Sequence, residues 1–224
     1  MACSRKGGGG LCSRLIVGAI VLAAGSASRM GHRPKSLLEL GGVPLIRRQL
    51  IALSGAGVDE VVVVLGHYAE QIEPIVHDFP VTLARNPDPD AGQVSSLRVG
   101  LHALSSKLDA VIVALADQPL LNSQDIGDVI GAFKKRPRTT EVVVPTVGDL
   151  PGNPVIFSAY VKAAILAGAA DIGCKQWQAQ NPERVHRWET PNQRYRIDVD
   201  TPEDIDALAV RTGHRLRWPA ASIS

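Results

Sequence analysis

The sequence predicts one α/β domain in which helices cover both faces of a mostly parallel β-sheet. Three observations predict it. Short β-branched runs alternate with amphipathic stretches, the pattern of successive βαβ units. The apolar residues are mostly Val, Ile, Leu and Ala, with only 4% aromatics, as suits strands buried on two faces. The chain has 224 residues, 45% of them hydrophobic, which is the size and core content of one such domain.

The first apolar run, residues 15–24, follows Arg5, Lys6 and Arg14. A basic stretch before a short apolar run also describes a secretory leader. Here the run ends in Gly25-Ser26-Ala27-Ser28 and a loop carrying Arg29 and Lys35, which favours a buried first strand. Further strands are expected at 60–65 (EVVVVL), 81–84, 109–116 (DAVIVALA), 141–146 (EVVVPT), 155–157, 185–188 and 195–199. Helices are expected at 45–53, 93–104, 124–134, 159–166 and 202–209.

Two helices carry explicit signals. Ser123 is read as a cap, with Ile126, Val129, Ile130 and Phe133 as an apolar stripe and Lys134-Lys135 where the dipole favours cations. In the last helix Thr201 serves as N-cap, Pro202 suits the first position, and Glu203 and Asp204 place negative charge in the first turn. Ile205, Leu208 and Ala209 then face inward. Residues 1–13, with Gly7 to Gly10, are expected to form a flexible extension, 14–212 the domain and 213–224 a C-terminal tail.

Charge and cysteine content exclude several classes of function. Twenty-four Lys and Arg against 22 Asp and Glu give a net charge of +2, without the basic footprint of a nucleic-acid-binding protein. An anionic small molecule would not be repelled. No apolar segment reaches the roughly 20 residues that span a bilayer, so no membrane association is expected. Cys3, Cys12 and Cys174 cannot all pair internally and show no CxxC spacing, which suits a reducing cytoplasm.

In an open α/β sheet ligands gather beyond the carboxyl ends of the strands, and three places qualify. Leu22, Ala23, Ala24 and Gly25 lead into Ser26-Ala27-Ser28-Arg29-Met30-Gly31 and Lys35. Small residues let backbone N–H groups approach phosphate oxygens, and Arg29 and Lys35 can neutralise a polyphosphate. The segment is neither GxxxxGK[ST] nor GxGxxG, and a Gly-containing turn with solvated cations also accounts for it. Asp117 ends the buried run 111–116, where a carboxylate can hold a hard divalent cation with substrate phosphates or simply open a turn before Pro119. Asp198 and Asp200 share one face of an extended segment, opposite Ile197 and Val199. Either can complete a metal site with Asp117, and Asp200 can equally serve the helix start.

Other candidates read as structural. His67, His77, His102 and His186 lack metal-ligand spacing, Ser95-Ser96 sits outside any GxSxG elbow, and Cys174, Trp177 and Trp188 suit packing.

The ordered segments LAAGSASRMG (22–31) with Lys35, GGVPLI (41–46), NPD (86–88), GQVSSLRVG (92–100), ADQP (116–119), GNPVIFS (152–158), DIG (171–173) and IDVDTPEDI (197–205) carry a resemblance. The chain resembles the MobA-like nucleotidyltransferases, and among them the molybdenum cofactor cytidylyltransferases. That resemblance implies a Rossmann-like three-layer α/β/α fold of the nucleotide-diphospho-sugar transferase type, binding a nucleoside triphosphate with Mg²⁺. It implies that Leu22, Ala23, Ala24 and Gly25 cradle the nucleotide, with Arg29 and Lys35 on the triphosphate. Asn86, Gln93, Ser95 and Ser96 would lie in the nucleotide pocket, and Arg29, Lys35 and Asp117 would be catalytic. Asp117 with Asp198 or Asp200 would hold the metal, and Gly152, Asn153, Pro154, Asp171 and Gly173 would bind the acceptor. The implied reaction transfers CMP from CTP to the terminal phosphate of molybdopterin, releasing pyrophosphate, with molybdoenzyme maturation partners downstream.

Some features depart from that pattern. LAAG and GQVSSLRVG favour CTP, whereas the three residues between Gly31 and Lys35 suit the guanylyl-transferring branch and GTP. Ala170-Asp171-Ile172-Gly173-Cys174-Lys175 stands where Gly-Asp-x-Gly-Ala-Arg is expected. Guanylyl transfer, another phosphorylated acceptor, and an oxidoreductase or accessory protein on the same fold therefore remain alternatives.

Overall fold

The computed structural model describes residues 14–220; the extension 1–13 with Cys3 and Cys12, and residues 221–224, lie outside them. The described residues form ten strands: β1 (Val17–Ala23), β2 (Glu39–Leu40), β3 (Val43–Pro44), β4 (Glu60–Leu65), β5 (Thr82–Arg85), β6 (Ala110–Leu115), β7 (Val142–Val147), β8 (Leu150–Pro151), β9 (Val155–Ser158) and β10 (Val185–Glu189). Seven helices accompany them: α1 (Leu45–Gly55), α2 (Ala69–Val76), α3 (Gln93–Ala103), α4 (Ser123–Lys135), α5 (Ala159–Ala167), α6 (Cys174–Gln180) and α7 (Pro202–Thr212).

The main sheet runs β10-β7-β9-β6-β1-β4-β5, with β8 paired to β7. β1 pairs parallel with both β4 and β6, β4 with β5, and β7 with β10, whereas β9 is antiparallel to β6 and β7. The chain builds outward from β1 through β4 to β5, then crosses back to add β6 on the other side. That reversal leaves a crevice beyond the carboxyl ends of β1 and β6.

β1 shows why the sheet takes this central position. Its residues alternate between two cores: Ala19 and Val21 pack with α1, α2 and α4, while Ile20 packs with α3, α5 and α6. Phe133, Leu53 and Ile72 fill the first core, and Phe157, Leu101 and Trp177 fill the second. Each face is thus sealed by helices, which is why the strands read as apolar runs without a polar face. A third, smaller cluster gathers Met30, Leu38, Leu40, Leu45, Val199, Leu208 and Leu216 beneath α7.

Local expectations met two corrections at helix caps and strands. The α4 cap is Asn122, one residue before Ser123: its side chain accepts from the Asp125 N–H at 3.1 Å and the Asp125 carboxylate accepts from the Asn122 N–H at 3.1 Å, a reciprocal box. Thr201 caps α7 as the sequence indicates, with Asp204 returning the bond to the Thr201 N–H at 2.8 Å. Residues 195–199 are not a strand: 193–196 form a 3₁₀ turn, and only the Val199 N–H reaches the end of β6, donating to the Asp117 carbonyl at 3.2 Å. The alternation persists without a ladder, since Ile197 and Val199 join the third cluster. Two helices escaped the sequence reading. α2 carries Pro74 in its interior, a residue that normally argues against a helix, and α6 is seven residues of mostly polar composition.

Cys174 opens α6. Burial pushes its thiol from an ordinary 9.0 up to about 11, with Gln178 and Lys175 acting weakly the other way. The thiol therefore stays protonated and unreactive near neutrality. At pH 8, iodoacetamide should label Cys174 far more slowly in native protein than in urea, as read by peptide mass spectrometry. Because the unfolded thiol ionises first, stability should fall as pH rises from about 9 toward 11. Equal labelling rates in both states would contradict this placement.

Candidate nucleotide site

The crevice beyond β1 and β6 opens into a cavity of about 690 Å³. Of the residues singled out from sequence, Leu22, Ala23, Ala24, Gly25, Arg29, Lys35, Gln93, Ser96, Asp117, Asn153, Asp198 and Asp200 line it. The turn after β1 owes its path to tight contacts. A Cβ on Gly66, at the end of β4, would meet the Ala24 carbonyl oxygen at 2.6 Å, so only glycine lets the two strand ends approach. Ala27 and His32 adopt φ of 48° and 56°, left-handed values that cost about 1–2 kcal/mol per non-glycine residue. Met30 is 5% exposed and anchors this strained turn in the third cluster, leaving Arg29 at the cavity wall.

Lys35 is the centre of the site's electrostatics. Its Nζ donates to Asp117 Oδ2 at 2.7 Å and to Asp200 Oδ1 at 2.6 Å, while Arg29 donates to the other Asp200 oxygen at 2.9 Å. Burial alone would lower the Lys35 ammonium, but Asp117 and Asp200 outweigh it and hold the group above the ordinary lysine range. Burial likewise pulls Asp200 upward, and Lys35 and Arg29 reverse that and leave it below the usual carboxylate range. Asp198 goes the other way: desolvation in the crevice, reinforced by Asp117 and Asp200, raises it against the smaller opposing pull of its backbone hydrogen bond and of Lys35.

Two features bear on a divalent cation. Asp117 Oδ1 is buried and has no hydrogen-bond partner among the described residues, an arrangement that costs free energy unless something fills it. Asp198 is a carboxylate whose charged form is disfavoured by burial and by its acidic neighbours. Among the described residues no group of three or more His, Cys, Asp and Glu is arranged around a common metal position, and Asp200 is turned onto Lys35 and Arg29. Asp117 and Asp198 remain, and two carboxylates plus substrate phosphates are a usual magnesium donor set.

The nucleotide-pocket candidates divide into two that line the cavity, Gln93 and Ser96, and two that stand behind it, Asn86 and Ser95. The Asp88 N–H donates to Asn86 Oδ1 at 3.0 Å, which fixes that amide's orientation. Asn86 Nδ2 must then be the donor to Ser96 Oγ, at 3.0 Å. The Ser96 hydroxyl, used as an acceptor by Asn86, keeps its own proton for the cavity. Ser95 donates to Asn86 Oδ1 at 3.2 Å and does not line the cavity. The acceptor candidates are also split. Asn153 lines the cavity, but a Cβ on Gly152 would meet the Tyr195 carbonyl oxygen at 2.6 Å, so Gly152 is needed for packing. Pro154 follows a cis peptide bond, Asp171 is exposed, and Gly173 is buried at the start of α6. Pro154, Asp171 and Gly173 stand outside the lining residues.

Sequence reasoning missed several lining residues, among them Lys175, His67, Tyr68 and Asp90. Lys175 reaches the cavity from α6. His67, read as surface or packing, lines it instead, and its Nε2 lies 3.0 Å from Asp90 Oδ1. Tyr68 also lines it and donates from its hydroxyl to the Ser26 carbonyl at 2.7 Å. Only the GH dipeptide after the apolar strand 60–65 signalled this corner, by its place at a strand end.

The sequence profile of the MobA-like NTP transferase domain matches residues 19–185. The chain is 29% identical over 195 residues to nicotine blue oxidoreductase of Paenarthrobacter nicotinovorans, covering 84% of this chain and 94% of that protein. It is 32% identical over 140 residues to the bifunctional protein GlmU of Mycobacterium ulcerans, covering 59% of this chain but only 28% of GlmU. Among solved structures, a nucleotidyl transferase from Methanothermobacter thermautotroptrophicus superposes with a TM-score of 0.72 at 25% identity, covering 88% of this chain and 97% of that one. Rv0371c of Mycobacterium tuberculosis, solved in complex with manganese, superposes with a TM-score of 0.67 at 24% identity over 86% of this chain and 97% of its own. The fold is Rossmann-like, of the nucleotide-diphospho-sugar transferase type.

A further unforeseen residue acts from behind the cavity. Asp125 is fully buried; its carboxylate accepts from Arg194 Nε at 2.8 Å and Nη2 at 2.6 Å and from Asn192 Nδ2 at 2.7 Å. The Tyr195 hydroxyl donates to the Asp125 carbonyl at 2.8 Å. This network ties the irregular segment before Asp198 and Asp200 to α4. Asp125→Ala should cost about 2–3 kcal/mol in urea unfolding, less than a fully enclosed ion pair because Arg194 can rehydrate. Asp125→Asn, which keeps the shape, should lie between the two. Unchanged stability in both variants would remove Asp125 from this role.

Proposed function

The chain belongs to the MobA-like NTP transferase family, and from that premise we propose that it transfers CMP from CTP, with Mg²⁺, to the terminal phosphate of a molybdopterin-type cofactor. The observation that carries the reading is Lys35, bridging Asp117 and Asp200 at 2.7 and 2.6 Å beside a small-residue turn at the sheet's switch point. Transfer of this kind relies on positioning and charge neutralisation and needs no side-chain nucleophile.

In this reading, backbone amides of the turn 22–25 receive the nucleotide phosphates, and Arg29 and Lys35 present their cations to the triphosphate. A terminal phosphate oxygen of the acceptor attacks the α-phosphorus in line; the bond to the bridging oxygen breaks, and pyrophosphate leaves with that electron pair. Lys35 and Arg29 balance the charge that builds on the phosphoryl oxygens. Asp117 and Asp198 would hold the divalent ion, which when bound supplies Lewis-acid polarisation of the phosphates. Asp200 aims Lys35 and Arg29. Ser96 offers its proton to an acceptor atom of the base, with Asn86 fixing the direction. Asn153 and Lys175 stand where an anionic acceptor can be met.

Charge supports the metal. Arg29, Lys35 and Lys175 face Asp90, Asp117, Asp198 and Asp200 along the lining, three cations against four carboxylates. A polyanionic triphosphate entering alone would meet a net negative cavity. Manganese in the Mycobacterium tuberculosis neighbour accords with a divalent ion here.

The Paenarthrobacter relative, an oxidoreductase by name that aligns over 94% of its length, favours a second reading: electron transfer from a nicotinamide or flavin. The lack of a GxGxxG segment and the carboxylates at the strand ends weigh against it.

Pyrophosphate release measured with each of the four nucleotides, with and without molybdenum cofactor, separates these readings. We expect release with CTP that requires the acceptor; the highest rate with GTP would replace the base assignment, and NADPH oxidation without pyrophosphate would replace the reaction. Asp117→Ala should lower turnover by at least ~10²-fold. Ser96→Ala should weaken CTP binding about fivefold, the loss of one hydrogen bond worth ~1 kcal/mol, as read by calorimetry.

A further inference from the structure

The chain beyond α7 returns to the active-site turn. Gly213, at φ 72°, ends the helix and reverses the backbone. Arg217 then pairs with Glu39 as an isolated antiparallel bridge: the Glu39 N–H donates to the Arg217 carbonyl at 2.7 Å and the Arg217 N–H to the Glu39 carbonyl at 3.0 Å. Leu216 is 3% exposed in the cluster that holds Met30 and Val199. The Arg33 guanidinium lies 3.9 Å from the centre of the Trp218 ring.

These contacts grip one segment, 30–39, from both sides. Met30 and Leu38 sit in the cluster that Leu216 completes and against which Trp218 packs. Arg33 stacks on Trp218, and Lys35 lies two residues further along. The same segment is also held by Leu37 in the first core, by the Leu45 N–H donating to the Leu38 carbonyl at 2.8 Å, and by the ion pairs of Lys35 with Asp117 and Asp200. The family match ends at residue 185, so this support is not supplied by the matched module.

We propose that residues 214–218 are a strap that sets the position of Lys35, with Trp218 as a positioning residue acting through Arg33. Trp218 touches no part of the cavity; its effect reaches the nucleotide because the loop from Arg33 to Lys35 is short and its ammonium must meet two carboxylates at once. The proposal rests on nucleotide binding in the cavity, but the strap's grip on the loop is measurable without nucleotide.

The test uses the full chain and three variants: Trp218→Ala, Trp218→Phe and Arg33→Ala. Amide exchange in residues 31–39 should accelerate in Trp218→Ala and Arg33→Ala while β1 stays protected. Affinity for CTP with Mg²⁺ should fall roughly threefold to fivefold in both, the fold-change of one partly exposed cation–π contact, and Trp218→Phe should restore most of it. Unchanged exchange at 31–39 overturns the strap. Faster exchange with unchanged CTP affinity overturns its role in positioning Lys35, as does a loss in Trp218→Ala that tracks thermal stability alone and is not restored by Phe. Wild-type protein that binds no nucleotide sinks the nucleotide reading and with it Trp218's positioning role, while the exchange result still decides whether the strap holds the loop.

Discussion

The site depends on one half-buried ammonium shared by two carboxylates. Lys35 stands 82 residues from Asp117 and 165 from Asp200, so the contact exists only when the turn after β1, the end of β6 and the segment before α7 all arrive at one point. Each member needs the others. Lys35 without its carboxylates would be a desolvated cation, and Asp117 and Asp200 without Lys35 would repel each other across a crevice already short of positive charge. The strand order supplies the meeting point: β6 is added beside β1 after the chain has built the opposite side of the sheet.

Much of the frame was legible because a single physical rule governed it. Strands sealed on both faces read as apolar runs, and Asp117 stood out because a carboxylate directly after such a run has no packing reason to be there. Asp198 and Asp200 were legible for a different reason. Alternation with Ile197 and Val199 survives in any extended backbone, so the facing was right although no strand forms. The sequence could not distinguish a ladder from a segment held by one bond to the Asp117 carbonyl and by Tyr195, whose carbonyl accepts from the Asn153 N–H at 2.8 Å.

What stayed hidden depends on pairings between remote residues. Asp125 lies in the first turn of α4, where an acidic residue is expected for the dipole alone; its partners Asn192 and Arg194 are 67 and 69 residues away. Nothing local separates that role from a surface one. The same holds for His67 and Asp90, which meet across the cavity from loops after β4 and β5. Asn86 shows the converse: the resemblance placed it in the pocket, while its hydrogen bonds put it one layer behind, orienting Ser96.

The third cluster explains how a site assembled from loops becomes rigid. Met30 and Leu38 bracket Lys35, Ile197 and Val199 bracket Asp198, and all four pack into one small core under α7. The cations and the carboxylates are therefore carried on the same apolar patch, and a shift of one group moves the other with it. This coupling also bears on chemistry. A nicotinamide ring exchanges hydride best against apolar walls that do not compete for its developing charge, whereas the cavity presents fixed, mutually braced charges of both signs at the strand ends. Asp117 Oδ1, buried and without a hydrogen-bond partner among the described residues, is a further acceptor that is costly to leave unsatisfied. Fold alone leaves the reaction open; the bracing of these particular charges favours phosphoryl groups.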